Sequence, residues 1–594
     1  MNDIAKLAGL ALLMGSCAGI SEQSRPNVII VLSDDQGIGN LSCLGNPYIQ
    51  TPAIDRHFEQ SVRLSDFHVS PLSTPTRSSI ITGCYPIRNG AWATFKGRDV
   101  IAGDSPTIGE VFRDGGYSTA MFGKWHLGDN YPARATDKGF EYAVNHCSGG
   151  VGELSDHWGN NYFDDIYLVN NEPKQFEGYC TDVWFDEAIK YVEQQKGSDK
   201  PFFIYLATNA PHSPHIAPDE YTDRYTHLVD EKIIKDAGYY GQIANLDDNF
   251  ARLTAALERS GQMKNTILIF TTDNGAPPAN NPCTLGYRGG KSSPLEGGHR
   301  VPFFVRWDGG GINGGVDIDG LSTHVDLIPT LASLCGIEIE SKFDGVDISA
   351  ALTRRGAVTD DRSVFIHHRQ SQDQPFDEKN SVVLRDNWRL INGRQLYDLN
   401  SDPKQKTDVA GRHPDVVKRL WADNRRFIAE TKELDNYNYY IPMAVVGSDK
   451  QRLVELTIQH AMGSDKGLWM PHQIAAGIRN TNSRHVIGVE RSGEYIISLT
   501  RWKRECSAPI WGVPQDRTKE QFDYIAITPS SASLSIEPYG KTIGDKSELT
   551  YTIKADDSAA KFKVSLNKGE YILDAKFLDD KGAIGAYYLY IEPA

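Results

Sequence analysis

Residues 27–35 read NVIIVLSDD, an unbroken apolar run that stops on two aspartates. A strand with water on one face alternates apolar and polar side chains. A run without alternation is covered on both faces, as in a parallel sheet sandwiched between helices. The pattern returns at Tyr117–Phe122, Pro201–Ala207 (PFFIYLA), Thr266–Thr271 (TILIFT) and Val301–Trp307 (VPFFVRW). Helical segments separate these runs. Thr107–Gly116 opens with a Thr-x-x-Glu capping box and closes on paired glycines, and Asp236–Ser260 repeats its apolar residues near helical spacing. The alternation predicts an α/β domain with a mostly parallel sheet flanked by helices.

The chain has 594 residues, too many for one core, so two or three domains are expected. The α/β pattern occupies 26–355. A smaller unit at 356–440 carries Ser381–Ile391 and Gln395–Leu399, which read as antiparallel strands, and a helix at His413–Thr431. From 441 to 594, runs such as GEYIISLTRW, KFKVSLNKG and GAYYLYIEPA, separated by Gly, Asp and Lys turns, read as a β-rich accessory unit. At the start, a short apolar core (Leu7–Met14) precedes Gly15, Ser16 and Cys17. It is too short to span a bilayer and fits a lipoprotein-type signal over residues 1–17, with lipid on Cys17. That reading puts the protein in the periplasm or on the cell surface, touching membrane only through its lipid anchor. The seven other cysteines (43, 84, 147, 180, 283, 335 and 506) form no CxxC pair, and an odd count leaves at least one thiol free.

The net charge of −15 argues against a nucleic-acid backbone as ligand. An anionic substrate must therefore meet a local group of cations. The strand ends supply one. The first strand ends in Asp34-Asp35, the second runs into Lys124-Trp125-His126, the third into Pro211-His212-Ser213-Pro214-His215, and the fourth into Asp273-Asn274-Gly275. In open α/β sheets, ligands bind beyond the carboxyl ends of the strands. Asp34, Asp35, Asp273 and Asn274 offer oxygen only, which suits calcium or magnesium rather than zinc. Arg77, Lys124, His126, His212 and Lys291 could surround a tetrahedral anion. Ser73 lies just before a run that reads as a helix, with Pro75 suited to its first turn, so the positive end of that helix would face the serine. A tetrahedral oxyanion between a divalent metal and several cations suits transfer of a sulfuryl or phosphoryl group.

Ser73-Thr74-Pro75-Thr76-Arg77 with Thr82-Gly83 resembles the signature of the type I sulfatases, Cys/Ser-x-Pro-x-Arg, and Gly123-Lys124-Trp125-His126-Leu127-Gly128 resembles the second signature of that family. Ala210–Pro214, Thr272–Gly275, Gly289-Gly290-Lys291 with Glu296-Gly297-Gly298, and Val325–Thr330 are similar to later blocks, in family order, across about 26–440. The resemblance implies an alkaline phosphatase-like fold and a sulfuric ester hydrolase. It implies that Ser73 is oxidised by a formylglycine-generating maturase to 3-oxoalanine, whose hydrate attacks sulfur and then releases sulfate by elimination. Cysteine is the commoner precursor in the family; here it is serine. By the same resemblance, calcium, in preference to magnesium, sits on Asp34, Asp35, Asp273, Asn274 and the modified Ser73. Arg77 and Lys124 steady the hydrate, His126 takes the proton that drives elimination, His212 protonates the departing oxygen, and Lys291 holds sulfate.

Two rival readings frame this one: a phosphatase or phosphodiesterase of the same superfamily, and a sulfated-glycan binding protein whose Ser73 is never oxidised. An exported sulfatase most naturally acts on sulfated oligosaccharide. Gly149–Asp165 and Gly178–Asp186 resemble exo-acting carbohydrate sulfatases, which points to a galactose or N-acetylgalactosamine O-sulfate, with O4 the favoured position. Asp156, His157, His215, Arg288, His299 and Arg300 are the candidate sugar contacts. Trp469, Trp502 and Trp511 could stack on a sugar, with core packing the competing role.

Overall fold

The computed structural model describes residues 25–280, 282–358, 361–370, 381–434, 443–514 and 523–594. Cys17 and the signal segment lie outside the described residues. A ten-stranded sheet dominates the first part of the chain. Its strands are β1 (Asn27–Ser33), β2 (Val62–His68), β3 (Ser118–Lys124), β4 (Tyr142–His146), β5 (Ile166–Val169), β6 (Glu172–Gln175), β7 (Phe202–Ala207), β8 (Thr266–Thr272), β9 (Phe303–Arg306) and β10 (Val316–Thr323). Their order across the sheet is β10-β2-β9-β8-β1-β7-β3-β4-β5-β6. The central block β8-β1-β7-β3-β4 is parallel throughout. β1, β7 and β8 are almost wholly buried, as their unbroken apolar runs require. Apolar clusters fill both faces, Val28, Ile30 and Leu32 on one side and Ile29 and Val31 on the other. Full burial of each such side chain contributes about 1.5–3 kcal/mol.

The predicted helices form. Thr107 caps Ile108–Asp114 with a complete capping box, and Asp236 caps Ala237–Ser260 by accepting from the Gly238 amide. The structure differs from the sequence reading at β9, which looks like one more parallel strand but runs antiparallel to both β8 and β2. A parallel neighbour needs a helical crossover. The described chain between β8 and β9 is taken up by loops, with a 3-10 turn at Pro278–Asn280 and a short helix at Glu296–His299.

β11 (Val364–His367), β12 (Ser381–Arg385), β13 (Trp388–Ile391) and β14 (Gln395–Asp398) form a second, fully antiparallel sheet, covered by the helix Pro414–Lys432. Strands between Ala444 and Pro593 form two further sheets around a separate apolar core. Leu154 of the α/β domain is embedded in that core, so the β-rich unit is joined to the loop that follows β4. Trp502 is buried there, Trp511 is half-buried, and Trp469 is 42% exposed. Cys43, Cys84, Cys147, Cys180, Cys283 and Cys335 are free thiols. No helix among the described residues is long and apolar enough to cross a membrane.

Candidate active site

The carboxyl ends of the parallel strands converge on one side chain. Ser73 is the first residue of the helix Ser73–Thr82, whose ten residues are all buried. Its Oγ donates toward Asp34 Oδ1 at 3.0 Å and Asn274 Oδ1 at 3.3 Å. Being at the first turn, it also sits in the positive end of the helix dipole. Asp34 and Asp35 follow β1, and Asp273 and Asn274 follow β8; these two strands are adjacent and in register, so their ends arrive together. The Asp35 amide donates to Asp273 Oδ1 at 3.0 Å. The Asn274 amide nitrogen donates to Asp35 Oδ1 at 2.7 Å, which turns its carbonyl oxygen toward Ser73.

Three cations face three carboxylates. Lys124 Nζ lies 2.5 Å from Asp34 Oδ2, and Lys291 Nζ lies 2.6 Å from Asp35 Oδ2. Arg77, four residues after Ser73 and thus on the same helix face, approaches Asp273 Oδ2 at 2.9 Å and Asp34 Oδ2 at 3.5 Å. It also donates to the carbonyls of Lys124 and Thr208, which fixes its plane. Burial raises the cost of charge on Asp34, but Lys124, His212 and Arg77 outweigh it and hold its carboxyl well below the usual range. Asp273 goes the other way: burial, with the negative charge of Asp34 adding to it, pushes it up to about 7. Burial pulls Lys124 down despite Asp34, whereas Asp35 and Asp34 outweigh burial and hold Lys291 up.

Two histidines border the cluster. His212 Nδ1 meets the Ser213 carbonyl at 2.7 Å, and its Nε2 lies 3.8 Å from Asp35 Oδ2. Burial and Lys291 lower it to about 4, so it is neutral at pH 7 without ligand. His126 Nε2 meets the Thr94 carbonyl at 3.2 Å, while its Nδ1 is buried with no hydrogen-bond partner. Burial, with Lys124 adding, holds it well below its ordinary value. Asp35 (φ 59°) and His126 (φ 56°) both sit in the left-handed region, where non-glycine residues are held only by surrounding structure. Asp34, Asp35 and His212 offer ligand atoms within 4.8 Å of one another. The donor set around Ser73 is three carboxylates and one carboxamide oxygen, the chemistry of a hard divalent cation.

The other sugar-contact candidates lie elsewhere. Asp156 accepts from the Gly152 and His157 amides and shapes its own turn. With His157 it lines a cavity of about 360 Å³ at the junction with the β-rich unit, beside Lys503 and Glu505. His215 is paired with Asp236 at 2.6 Å and packs on the edge of Tyr239, whose hydroxyl donates to the Asp35 carbonyl. Arg288 is exposed and donates to the Gln405 carbonyl of the antiparallel-sheet unit. The expectation for His299 and Arg300 is corrected. His299 is fully buried, with its ring nitrogens facing His68 and the Pro294 carbonyl, and Arg300 is spanned by Glu296 and Asp66. His299 thus faces no ligand surface, while Arg300, held in this ion network, lines a cavity of about 890 Å³ with Asp66 and Tyr287.

Two residues near the cluster escaped sequence reading. His146 ends β4, stacks on Trp184, and has both ring nitrogens buried without partners. Burial, then Lys124 and Arg77, keep it neutral. Glu153 lies in a stretch where Asp156 and His157 drew attention instead, and burial pushes it up to about 7 against the pull of Lys124. The signal for His146 was its place at the carboxyl end of a strand, but β4 itself carries no long apolar run.

Residues 26–337 match the family model described as Sulfatase. The chain is 27% identical over 529 residues to an uncharacterized sulfatase, YdeN, of Escherichia coli (strain K12), spanning 74% of this chain and 90% of that protein. It is 28% identical over 398 residues to N-acetylgalactosamine-6-sulfatase of Canis lupus familiaris, covering 62% and 74% of the two chains. Among solved structures, a protein in complex with a neocarrahexaose superimposes with a TM-score of 0.62 at 24% identity, over 68% of this chain and 93% of that one. Another, in complex with its substrate D-glucosamine-2-N,6-O-disulfate, gives 0.56 at 20% identity, over 70% and 99%.

Proposed function

The chain belongs to the sulfatase family and is a sulfuric ester hydrolase of alkaline phosphatase-like fold, and from that premise we propose that it removes sulfate from a sulfated carbohydrate, acting on a terminal galactose or N-acetylgalactosamine O-sulfate through a formylglycine made from Ser73. The observation that carries this reading is the convergence of Asp34, Asn274, Asp273, Arg77 and Lys124 around Ser73 Oγ. The hydroxyl of an unmodified Ser73 is hydrogen-bonded to Asp34, a carboxylate already paired with Lys124, and to Asn274, so it is poorly activated as it stands. The relatives named N-acetylgalactosamine-6-sulfatase support the sugar class.

When in place, a divalent cation on Asp34, Asp35, Asp273 and Asn274, calcium in this proposal, would set positive charge against the sulfate oxygens, and the hydrated aldehyde at residue 73 would supply the attacking oxygen. The chain's own groups do the rest. Arg77 and Lys124 hold the carboxylates in place and keep positive charge beside residue 73. Lys291, now spent on Asp35, would turn to a sulfate oxygen when the ester binds. His212 is neutral in the free protein. The negative charge of an arriving sulfate ester favours its protonation, and the proton then goes to the departing sugar oxygen. His126 keeps Nδ1 free to accept a proton from the hydroxyl at residue 73. Export with a lipid on Cys17, to the periplasm or cell surface, and maturation by a formylglycine-generating enzyme complete the proposal.

Sulfate release from a panel of sulfated monosaccharides, with and without EDTA, tests it. Turnover of a galactose or N-acetylgalactosamine sulfate, lost in EDTA and restored by calcium, is the expected result. Full activity in chelator removes the metal, and turnover of phosphate esters alone removes the sulfate assignment.

A further inference from the structure

Among the described residues the acids and bases named around Ser73 come from the α/β domain, yet a loop beside them is held by the β-rich unit. After β4 the chain passes through Gly149 and Gly150. An ideal Cβ on Gly149 would lie 2.8 Å from His126 Cε1 and 3.1 Å from Glu153 Oε2. On Gly150 it would lie 3.4 Å from Glu153 Oε1 and 3.6 Å from His212 Nδ1. A side chain at Gly149 would press on the His126 ring, whereas Gly150 has room for a methyl in ordinary contact between Glu153 and His212. Glu153 Oε2 accepts from the Gly149 amide at 3.1 Å and from Gln459 Nε2 at 2.9 Å. Gln459 belongs to the β-rich unit, and its carbonyl accepts from the Lys96 amide at 2.9 Å. Glu153 Oε1 accepts from no protein donor among the described residues.

A second contact of the β-rich unit falls beside the first. The Leu154 amide, next to Glu153, donates to the Trp469 carbonyl at 3.0 Å. Trp469 is one of very few large apolar side chains with 42% or more of its surface in water. Its ring meets Phe95 edge to face at 5.8 Å, and Phe95 follows Thr94, whose carbonyl holds His126. An exposed indole backed by the half-buried Phe95, and a carboxylate oxygen with spare accepting capacity, thus hang from segments that touch His126 and His212. Such a pairing suits a sugar: the apolar C–H face rests on the ring, and a hydroxyl donates to the carboxylate.

Building on the carbohydrate reading above, we propose that Glu153, held by Gln459, and the Trp469–Phe95 pair form the sugar-reading wall of the site, so that the β-rich unit completes substrate recognition. Glu153 accepts from a hydroxyl beside the sulfated carbon, and the Trp469 indole carries the sugar ring. The test uses the full-length protein on the best sugar sulfate of the panel and on 4-nitrophenyl sulfate, which has neither ring hydroxyls nor a saturated face. Glu153→Gln and Trp469→Ala are expected to raise KM for the sugar about 10-fold or more, with kcat changing less than about 3-fold. Loss of kcat/KM on the aryl sulfate is expected to be at least about 5-fold smaller. Trp469→Phe should recover most of the sugar KM, and Gln459→Ala should fall between wild type and Glu153→Gln. Should Trp469→Ala fail to fold, Trp469→Leu, which still packs on Phe95 but offers no flat face, carries the same expectation. Equal losses on both substrates, or an unchanged sugar KM, overturn the wall while leaving the carbohydrate reading standing. Wild-type turnover of 4-nitrophenyl sulfate but of no sugar sulfate overturns both.

Discussion

Two buried clusters of charge lie in this molecule, built from nearly the same residue types. One surrounds Ser73 with Asp34, Asp35, Asp273, Arg77, Lys124 and Lys291. The other joins Asp66, Glu296, His68, His299, Arg300 and Arg389. In the second, Arg389 of β13 spans Glu296 and Asp66, and Arg300 spans the same two acids again. Its charges are spent on each other, and the product is a weld between the antiparallel sheet and the α/β domain. The Ser73 cluster is different in what it leaves unspent. The Asn274 carbonyl and one Asp34 oxygen point at one hydroxyl, His126 has an unpartnered Nδ1, and burial, with the charge of Asp34 adding to it, pushes Asp273 up to about 7 although Arg77 pairs with it. Burial and charge alone do not mark a reactive site. Convergence on one atom, with donor capacity to spare, does.

Substitutions should separate the two clusters. The largest expected effect is at Asp34: Asp34→Ala should reduce sulfate release by a factor of about 10³ or more, the scale set by removing an electrostatic stabiliser of a transferring group. Sulfate assays on folded protein check this; residual activity within 10-fold would move the site elsewhere. Arg389→Ala should do the reverse, costing about 3 kcal/mol of stability by leaving two buried carboxylates to share Arg300 alone, while the folded fraction keeps its kcat. Urea titration beside the assay reads both quantities. His212→Ala sharpens the chemistry within the first cluster. Sugar sulfates should lose about 10²–10⁴ in kcat and activated aryl sulfates far less, because a good leaving group needs little protonation. Equal losses would take the acid role from His212.

The smallest effect concerns pH. Burial lowers His299 to about 3, below the value of 6.5 for an exposed histidine. Below pH 6.5 the unfolded chain takes up a proton that the folded chain refuses. The stability present above 6.5 is therefore lost as pH falls toward 3, by up to about 1.4 kcal/mol per pH unit. His299→Gln should flatten the melting-temperature profile between pH 6 and 4. A parallel profile would mean that another buried group sets the acid limit.

Much of the Ser73 cluster was legible because strand ends are local. Asp34-Asp35, Lys124, His212 and Asp273-Asn274 each follow a run that sequence marks as a buried strand, and the parallel register brings them together. What was illegible depends on partners far along the chain. Arg300 and His299 look like unpaired side chains until Asp66 and His68 arrive from β2. The direction of β9 is set by loops, not by its own residues. Glu153 becomes notable only when Gln459, 306 positions away, holds it against two glycines.

The central claim is that Ser73 works as an aldehyde. Its most direct test is the mass of the Ser73-bearing peptide, measured on the same preparation whose sulfate release is assayed. The account expects that peptide to be lighter by two hydrogens, with turnover rising in proportion to the modified fraction across preparations made with and without a maturase. Undiminished turnover from protein whose serine is wholly unmodified would contradict it.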